Sequence, residues 1–373
     1  MGRVRALSIV FFAVVGLAAL AGGTALAMGG DTTIEVVDAG GDNGAGIVAS
    51  IDAQGLPILA YMSSDFLGGA EVRVARCGDL QCSSTTTAIM DNIGGGAAIA
   101  LDPAGHAVVA ERGLFADAPF DAVQPIRVSR CQDPSCTTVT TNDIETATRI
   151  RGIALALDSA SNPVVAYSLF DTGELRLVRC GDINCTSSTV QTLATQTRLP
   201  AVAVDQNDLA VVSFLNESTL EMQVAKCAEL SCESTTIETI GTVSQDPRAG
   251  RGGSSIAVRS DNNPIVTFGG ALGDDLSIVT CADNQCGTSQ TTTVPASVVV
   301  GSGLTLDANE HAVVSFRDRD GMISLARCGD ANCSSVDVEA IAPNGARESA
   351  VVVDGADIPS IAVYNSDLSL IHI

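Results

Sequence analysis

The sequence contains no tryptophan, three histidines and one lysine, and aromatic residues make up only 3% of its 373 positions. A core built on large aromatic side chains is therefore excluded. The interior has to consist of valine, isoleucine, leucine and alanine, which suit thin, closely packed β-sheets. The few histidines support neither a histidine-rich metal site nor a serine–histidine–aspartate triad. The composition thus favours an all-β chain and offers no recognisable catalytic centre.

The first 27 residues have the pattern of a secretory signal peptide. Arg3 and Arg5 precede an apolar run from Leu7 to Leu20, and the small residues before position 28 form a cleavage site that ends at Ala27. The apolar run is shorter than the roughly 20 residues that cross a bilayer. We therefore predict a signal peptide at 1–27 and a secreted or periplasmic mature protein without membrane insertion.

The chain is strongly acidic. It has 43 aspartates and glutamates against 20 lysines and arginines, which gives a formal charge of −23. Removal of residues 1–27 takes away two arginines and no acids, so the mature charge becomes −25. Such a charge repels nucleic acids and anionic membrane surfaces. We predict no nucleic-acid partner.

Six Cys-x4-Cys pairs mark an internal repeat. They begin at Cys77, Cys131, Cys180, Cys227, Cys281 and Cys328, at intervals of 47 to 54 residues. A period near 50 residues is typical of a propeller or a solenoid. The third unit contains four short β-rich runs, GIALALD, VVAYSLF, LRLVRC and STVQTLA, without a helical period. Four strands per unit predict one propeller blade.

The two ends of the chain predict how the propeller closes. Residues 348–373 supply three strands and stop before a cysteine pair, while TTIEVV (32–37) is similar to TTIETI (235–240), the fourth strand of the fourth unit. We therefore predict one domain, 28–373: a seven-bladed β-propeller of four-stranded antiparallel blades, with the last blade closed by the N-terminal strand. The predicted blades are 46–90, 97–145, 151–194, 199–241, 254–294, 301–342, and 348–373 together with 31–38.

An aspartate ends the predicted first strand of most units. It occupies positions 52, 102, 158, 205, 307 and 354, and the fifth unit has Arg259 instead. Aspartate side chains commonly accept hydrogen bonds from the backbone of a tight turn. We interpret these aspartates as turn caps rather than as metal ligands or catalytic groups.

The pattern Asp-x4-Pro, then an aromatic residue, then Arg-Cys-x-Asp-x-x-Cys resembles repeats of secreted bacterial β-propeller proteins of the broad sialidase-like or BNR-like kind. The resemblance covers nearly all of the mature chain and implies an architecture rather than an activity. The Asp-box of sialidases, Ser-x-Asp-x-Gly-x-x-Trp, is not found. Sialidase chemistry is therefore not expected.

The twelve cysteines are expected to form six disulfides, each within its own pair. Each pair offers only two ligands and lies far from the next around the ring, which disfavours zinc, and a redox site favours a single Cys-x-x-Cys. Local pairing is usual in an exported chain. The predicted bonds are Cys77–Cys82, Cys131–Cys136, Cys180–Cys185, Cys227–Cys232, Cys281–Cys286 and Cys328–Cys333.

Each cysteine pair also encloses an acid: Asp79, Asp133, Asp182, Glu229, Asp283 or Asp330. We predict that it accepts hydrogen bonds from loop N–H groups, with a weak calcium site as the alternative. No metal and no cofactor are expected.

Arginines are concentrated on the opposite face, in the connections between blades. Arg151, Arg198 and Arg347 lie seven residues before the first-strand aspartate, and Arg251 lies one residue off that register. Since first strands line a propeller's channel, these four arginines are predicted to ring part of its mouth and bind an anionic ligand. The alternative is that they form ion pairs with nearby acids that hold loops together: Asp143, Glu145, Asp246 and Glu348.

The two longest connections fall on the same face. They span 112–125, which includes Phe115 and Phe120, and 241–254. Long loops on a rigid scaffold commonly carry function. We therefore predict that ligands are engaged on this face, although tolerated insertions would give the same pattern.

The sequence favours an exported, non-catalytic binding or interaction propeller, expected to be a monomer, with a glycan or protein ligand. One alternative is a hydrolase or lyase acting on an anionic polysaccharide, with an acid–base pair such as Asp171 and Tyr167. Glycoside hydrolysis normally needs two carboxylates, and the 43 acids do not single out a pair. A structural cell-surface protein is the other alternative.

Overall fold

The computed structural model describes residues 37, 42–64, 70–80, 82–91, 97–112, 123–147, 149–243, 253–269, 275–295, 300–318, 320–342, 349–365 and 370–372. The regular structure in these ranges consists of β-strands paired with antiparallel neighbours. No helix within them has the length and apolarity needed to span a bilayer.

The first three blades each contain four strands that pair in chain order. Blade 1 contains β1 (Asp42–Ile51), β2 (Pro57–Ser64), β3 (Ala70–Cys77) and β4 (Thr85–Asp91). Blade 2 contains β5 (Ala97–Leu101), β6 (Ala107–Arg112), β7 (Gln124–Cys131) and β8 (Val139–Ala147). Blade 3 contains β9 (Ile150–Leu157), β10 (Pro163–Leu169), β11 (Leu175–Cys180) and β12 (Ser188–Ala194).

Three more four-stranded blades and one smaller sheet follow. Blade 4 contains β13 (Thr197–Val204), β14 (Ala210–Asn216), β15 (Glu221–Cys227) and β16 (Thr235–Thr242). Blade 5 contains β17 (Ser254–Val258), β18 (Pro264–Phe268), β19 (Leu276–Cys281) and β20 (Ser289–Val294). Blade 6 contains β21 (Val300–Leu306), β22 (Ala312–Arg317), β23 (Ile323–Cys328) and β24 (Val336–Ala342). The C-terminal sheet contains β25 (Ser349–Val353), β26 (Pro359–Asn365) and β27 (Leu370–His372).

The propeller therefore has six four-stranded blades, and the prediction of seven is wrong. The C-terminal repeat forms three strands, of which β27 is only three residues long and leaves little backbone for a fourth strand to pair with. Val37 ends the segment that was predicted to be this fourth strand. It lies in a bend and packs into the core beside the C-terminal sheet, and residues 32–36 lie outside the described residues.

The first strands of the sheets surround a central channel. β1, β5, β9, β13, β17, β21 and β25 contact one another in this order, and β25 contacts β1. Small residues allow the close approach: a Cβ added to Gly303 would lie 2.9 Å from the Cα of Ala350. The second strands are covered on both sides, so that β10 and β14 are buried over nearly their whole length, whereas the outer strand β12 is mostly exposed.

The first-strand aspartates cap turns, as predicted. Oδ1 of Asp158 accepts hydrogen bonds from the backbone N–H groups of Ala160, at 3.0 Å, and Asn162, at 2.8 Å. Ser161, inside this turn, has a left-handed φ of 65°. The same position is left-handed in every repeat, where it is occupied by Gly55, Gly105, Ser161, Asp208, Asn262, Glu310 and Asp357. We call this element the Asp turn.

Some Asp turns also hold a buried cation from the third strand. Asp102 pairs with Arg130, and Asp205 pairs with Lys226, all with side chains at most 8% exposed. Burial alone would raise the pKa of Asp205, but hydrogen bonds from Lys226 and from the turn backbone outweigh it and lower the pKa. Removing one partner of a buried pair leaves the other charge uncompensated.

Blade 5 reverses this arrangement. Arg259 replaces the aspartate, and Thr280 takes the place of the third-strand cation. The Arg259 guanidinium donates to the carbonyl oxygens of Ala331, at 2.7 Å, and Cys281, at 2.9 Å. Blade 5 thus also has one buried cation next to its first turn, but this cation follows the first strand instead of lying in the third.

Hydrogen bonds between Asp turns link successive blades. The left-handed residue of one turn accepts a bond from the backbone N–H that follows the first strand of the preceding blade. Asp208 accepts from Ser159 at 2.7 Å, and Glu310 accepts from Ser260 at 2.8 Å. Asn262 and Asp357 make equivalent bonds, at 2.9 Å each, to Gln206 and Ala308. These contacts connect blades 3 to 6 and the C-terminal sheet.

The six predicted disulfides are present, each closing a loop between the third and fourth strands. The second cysteine of each pair has a left-handed backbone, with φ between 50° and 63°. The enclosed acid satisfies the loop, as predicted: Asp133 accepts from the backbone N–H groups of Ser135, Thr137 and Thr138 and from the Thr137 hydroxyl. We call these elements disulfide loops.

We predict that the blade 5 arrangement can be transferred to blade 4. Lys226→Thr leaves Asp205 buried and unpaired, and should lower the free energy of unfolding by about 3–5 kcal/mol. The double change Asp205→Arg with Lys226→Thr should recover part of this loss. Chemical denaturation measures both variants. Glu339→Gln, at an exposed position of β24, is the control and should change the free energy of unfolding by less than about 0.5 kcal/mol. A double variant no more stable than Lys226→Thr would contradict the prediction.

The disulfide loops predict an acid-sensitive contribution to stability. Hydrogen bonds from the Thr137 side chain and backbone lower the pKa of Asp133, and those from Thr186 and Ser334 lower the pKa values of Asp182 and Asp330. A carboxylate with a lowered folded pKa stabilises the fold above the ordinary aspartate range, and this contribution is lost as pH falls through the folded pKa.

Replacing all three of these aspartates by asparagine should therefore lower the melting temperature at pH 7, and the difference should shrink as the pH falls below the ordinary aspartate pKa of about 3.9. Thermal unfolding followed at a series of pH values measures the gap between the two proteins. Glu339→Gln, at an exposed position of β24, serves as the control. A difference in melting temperature that is the same at pH 7 and at acid pH would show that the carboxylate charge is not responsible.

Candidate functional site

The face opposite the disulfide loops carries the turns between second and third strands and the connections between blades. Its described arginines include Arg112 at the end of β6, Arg149 just before β9, Arg151 as the second residue of β9 and Arg198 as the second residue of β13. We call this surface the arginine face. It is the face on which the sequence predicted ligand binding.

Arg151 and Arg198 come from neighbouring blades and meet at one carboxylate. Nη1 of Arg151 donates to Oε1 of Glu217, and Nε of Arg198 lies 2.8 Å from the same oxygen. Glu217 follows β14, and its backbone N–H donates to the carbonyl oxygen of Gln196 at 2.7 Å. The three charged side chains are 17–26% exposed, so the group is accessible yet held in place.

Irregular backbone next to these arginines sets their direction. The pairing of β13 with β14 shifts register between Arg198 and Ala201, and Leu199 has a left-handed φ of 53°. On the neighbouring strand β9, Gly152 has a φ of 138°, and a Cβ there would lie 3.0 Å from Cδ of Pro200. Bulges of this kind redirect side chains at the end of a strand.

Phe170 anchors two of the arginines. The guanidinium carbon of Arg149 lies 3.5 Å from the centroid of the Phe170 ring, and that of Arg151 lies 4.2 Å from it. The backbone N–H of Phe170 donates to the carbonyl oxygen of Arg149 at 2.9 Å, which fixes the ring against β9. Guanidinium groups are attracted to aromatic faces, so the ring holds two like charges near each other.

Arg112 adds a further positive charge beneath this cluster. Arg112 is buried, with only 7% of its surface exposed. Burial lowers the pKa of Arg112, and the positive charge of Arg149 lowers it further. Two guanidinium groups are therefore close enough to disfavour each other's charge. The arrangement is one that a bound anion would stabilise.

The central channel contains a cavity of about 350 Å³. Serines form one side of its wall, at Ser254, Ser255, Ser302 and Ser349, and aliphatic residues form the other. The serine hydroxyls bond within the protein, as Ser254 does to Ser213 at 2.8 Å and Ser349 to Ser315 at 3.0 Å. The described wall carries no charged side chain. Charge is instead gathered at the arginine face.

The structure brings together two of the four predicted arginines, Arg151 and Arg198. Arg251 and Arg347 lie outside the described residues, as do most of the loops at 112–125 and 241–254, so the ring of four stays a prediction. Glu217 was not among the predicted partners. Of the acids that were, Asp143 bonds Arg127, Glu145 bonds Arg176, and Asp246 and Glu348 lie outside the described residues.

The acid–base pair Tyr167 and Asp171 is not supported as a catalytic pair. Tyr167 is 0% exposed and packs in the core between blades 2 and 3, so its hydroxyl cannot reach a ligand at the surface. Asp171 is exposed in the turn after β10. In the part of the chain that the structure describes, no three His, Cys, Asp or Glu side chains are placed to hold a metal ion.

The fold is similar to that of several solved propellers. An ulvan lyase bound to -[GlcA(1-4)Rha3S]- is 10% identical over 89% of this chain and 94% of its own, with a TM-score of 0.54. A lectin from Aleuria aurantia in complex with Fucα1-6GlcNAc is 10% identical over 80% of this chain and 95% of its own, with a TM-score of 0.50. A sialidase from Streptococcus pneumoniae is 9% identical over 90% of this chain and 68% of its own, also with a TM-score of 0.50.

These similarities show a shared fold. The chain is a β-propeller of the kind found in lectins, lyases and sialidases. The broad sialidase-like resemblance is therefore supported for the propeller fold, and the resemblance of the individual repeats stays a prediction. No protein-family model and no curated protein matches the sequence. At 9–10% identity, the neighbours do not separate a binding protein from an enzyme.

We predict that Gly152 is required for the geometry of the channel mouth. Gly152→Ala forces a side chain into a conformation with positive φ and against Pro200, which should cost about 1–3 kcal/mol of stability. Gly355→Ala is the matched control, because a Cβ there meets no atom within 4 Å. Thermal unfolding of both variants tests this, and equal melting temperatures would show that the backbone at Gly152 relaxes without cost.

Proposed function

We propose that this protein is an exported, glycan-binding propeller that engages its ligand on the arginine face. The observation that carries the proposal is the convergence of Arg151 and Arg198, from adjacent blades, on Glu217 at the channel mouth. Planar guanidinium groups in fixed positions suit carboxylate and sulfate groups. The names of the fold neighbours support a carbohydrate ligand, since they include a lectin in complex with a fucosylated sugar and a lyase bound to a uronate- and sulfate-bearing unit.

The chemistry of the two faces supports this location. On the disulfide-loop face, the carboxylates of Asp133 and Asp283 already accept several hydrogen bonds from their own loops. Those groups stabilise the fold. On the arginine face, charged groups are partly exposed, and they meet across blade boundaries, where ligands of propellers and similar scaffolds have room to bind.

Export is part of the proposal. Six disulfides are typical of proteins that mature in an oxidising compartment. We propose that residues 1–27 direct the chain there, and that the mature protein is a monomer.

The second candidate is a hydrolase or lyase acting on an anionic polysaccharide. The lyase and sialidase among the fold neighbours favour it. The Arg151–Glu217–Arg198 group would then hold a uronate or sulfate beside the reacting bond. Turnover of an acidic polysaccharide by the purified protein would support this candidate, whereas binding without turnover supports the first.

The purified, oxidised protein should bind selected glycans on an array, and Arg151→Ala with Arg198→Ala should weaken that binding at least about tenfold. Arg127→Ala removes an arginine from the Asp143 ion pair in blade 2 and should leave binding unchanged. Circular dichroism confirms that each variant is folded. A protein that binds no glycan, or a double variant that binds every glycan unchanged, would contradict the proposal.

A further inference from the structure

We propose that the arginine face forms a linear track for an acidic polysaccharide, with Arg149, Arg151 and Arg198 contacting successive anionic groups. This inference rests on the proposed function and names the class of glycan. We call these three residues the arginine track. Arg112 lies behind it and adds charge without being exposed.

The track is continuous because each pair of neighbours shares one anchor. Arg149 and Arg151 share the Phe170 ring, at 3.5 Å and 4.2 Å from its centroid. Arg151 and Arg198 share Oε1 of Glu217. The three guanidinium groups therefore follow one another from the start of blade 3 to the start of blade 4. A ligand that runs from one blade to the next would meet them in sequence.

The anchors also place the guanidinium groups in advance. Long flexible side chains lose conformational entropy when a ligand immobilises them, and this cost reduces affinity. Here Phe170 and Glu217 already restrict the arginines, and bonds to the backbone of Arg149 and Gln196 fix both anchors. A ligand with several anions spaced along a chain gains more from such a row than a single small anion does.

Glu217 opposes the binding of single anions. Its carboxylate already occupies the space between Arg151 and Arg198, so an incoming anion has to compete with it. One isolated carboxylate gains little by replacing another. A chain that also contacts Arg149 meets a further guanidinium group, which favours polyanionic over monoanionic ligands.

Charge and shape favour an acidic polysaccharide over nucleic acid. The aromatic ring on the track, Phe170, is covered by guanidinium groups, whereas single-stranded nucleic acids are usually held by bases stacked on open aromatic faces. The formal charge of −23 opposes the approach of a densely charged phosphate backbone. At physiological salt, charges are screened beyond about 8 Å, so a sparsely charged glycan in contact with the track is governed by the local arginines.

The test uses oligogalacturonates of two and six residues, titrated calorimetrically into the purified, oxidised protein. The galacturonate hexamer should bind, at least about tenfold more tightly than the dimer. The methyl-esterified galacturonate hexamer, which keeps the sugar chain but lacks the charge, should bind at least about tenfold more weakly.

Three variants separate ligand contact from a structural role. Arg149→Gln should weaken hexamer binding about tenfold, and Arg127→Gln should not change it. Glu217→Gln keeps an amide oxygen that can accept from Arg151 and Arg198 but removes the competing charge, so it should strengthen binding. A purely structural ion pair predicts weaker or unchanged binding. Melting temperatures show whether each variant is folded.

The outcomes distinguish this inference from the function on which it rests. If neutral glycans bind and the arginine variants leave that binding unchanged, the protein is a glycan binder without an anionic track. If no glycan of any kind binds, the proposed function is wrong as well. Equal affinity for the charged and the methyl-esterified hexamer, or weaker or unchanged binding by folded Glu217→Gln, would overturn the track.

Discussion

The aspartate carboxylate after the innermost strand stabilises the turn between the first and second strands of most blades. Asp158 shows how: it bonds two backbone N–H groups of its turn and thereby stabilises a left-handed residue inside it. Where that residue carries a polar side chain, the side chain bonds the backbone of the preceding blade, as Asp208 does to Ser159. The spacing of blades around the channel thus depends on local turn chemistry. Blade 5 supports this interpretation, because replacing the aspartate by Arg259 is accompanied by a new pair of bonds to carbonyl oxygens.

Because the Asp turns and disulfide loops stabilise one face of the propeller, the opposite face can differ from blade to blade. The Asp turns and disulfide loops repeat with little variation, since each satisfies its own backbone with groups a few residues away. The turns and connections of the arginine face differ in length, and their contacts cross blade boundaries. Glu217 joins two blades, and Phe170 holds arginines from the connection that enters its own blade. Such differences are what allow one scaffold to carry one particular site.

The parts of the molecule that could be predicted are those that depend on residues close together in sequence. The Asp turns and disulfide loops each involve fewer than eight consecutive residues, so their chemistry can be read from spacing. The number of four-stranded blades depended on pairing between segments at the two ends of the chain. The similarity of TTIEVV to TTIETI indicates that residues 32–37 suit a strand, but it does not show what they pair with. The role of Glu217 was equally hidden, because the equivalent position after the second strand of blade 3 is occupied by Phe170, so no repeated residue type marks it.

The acidity of the chain and its arginine track impose different conditions on a ligand. Long-range repulsion from a formal charge of −23 acts on every polyanion as it approaches, and it weakens as salt shortens the screening length. The track acts only at contact, and only on anions positioned to meet Arg149, Arg151 and Arg198. Flexible lysines in place of these arginines would bind ions without such geometry, whereas guanidinium groups stack on Phe170 and present a fixed set of donors. Under the proposed function, the two conditions together oppose non-specific polyanions and favour those whose charges match the spacing of the track.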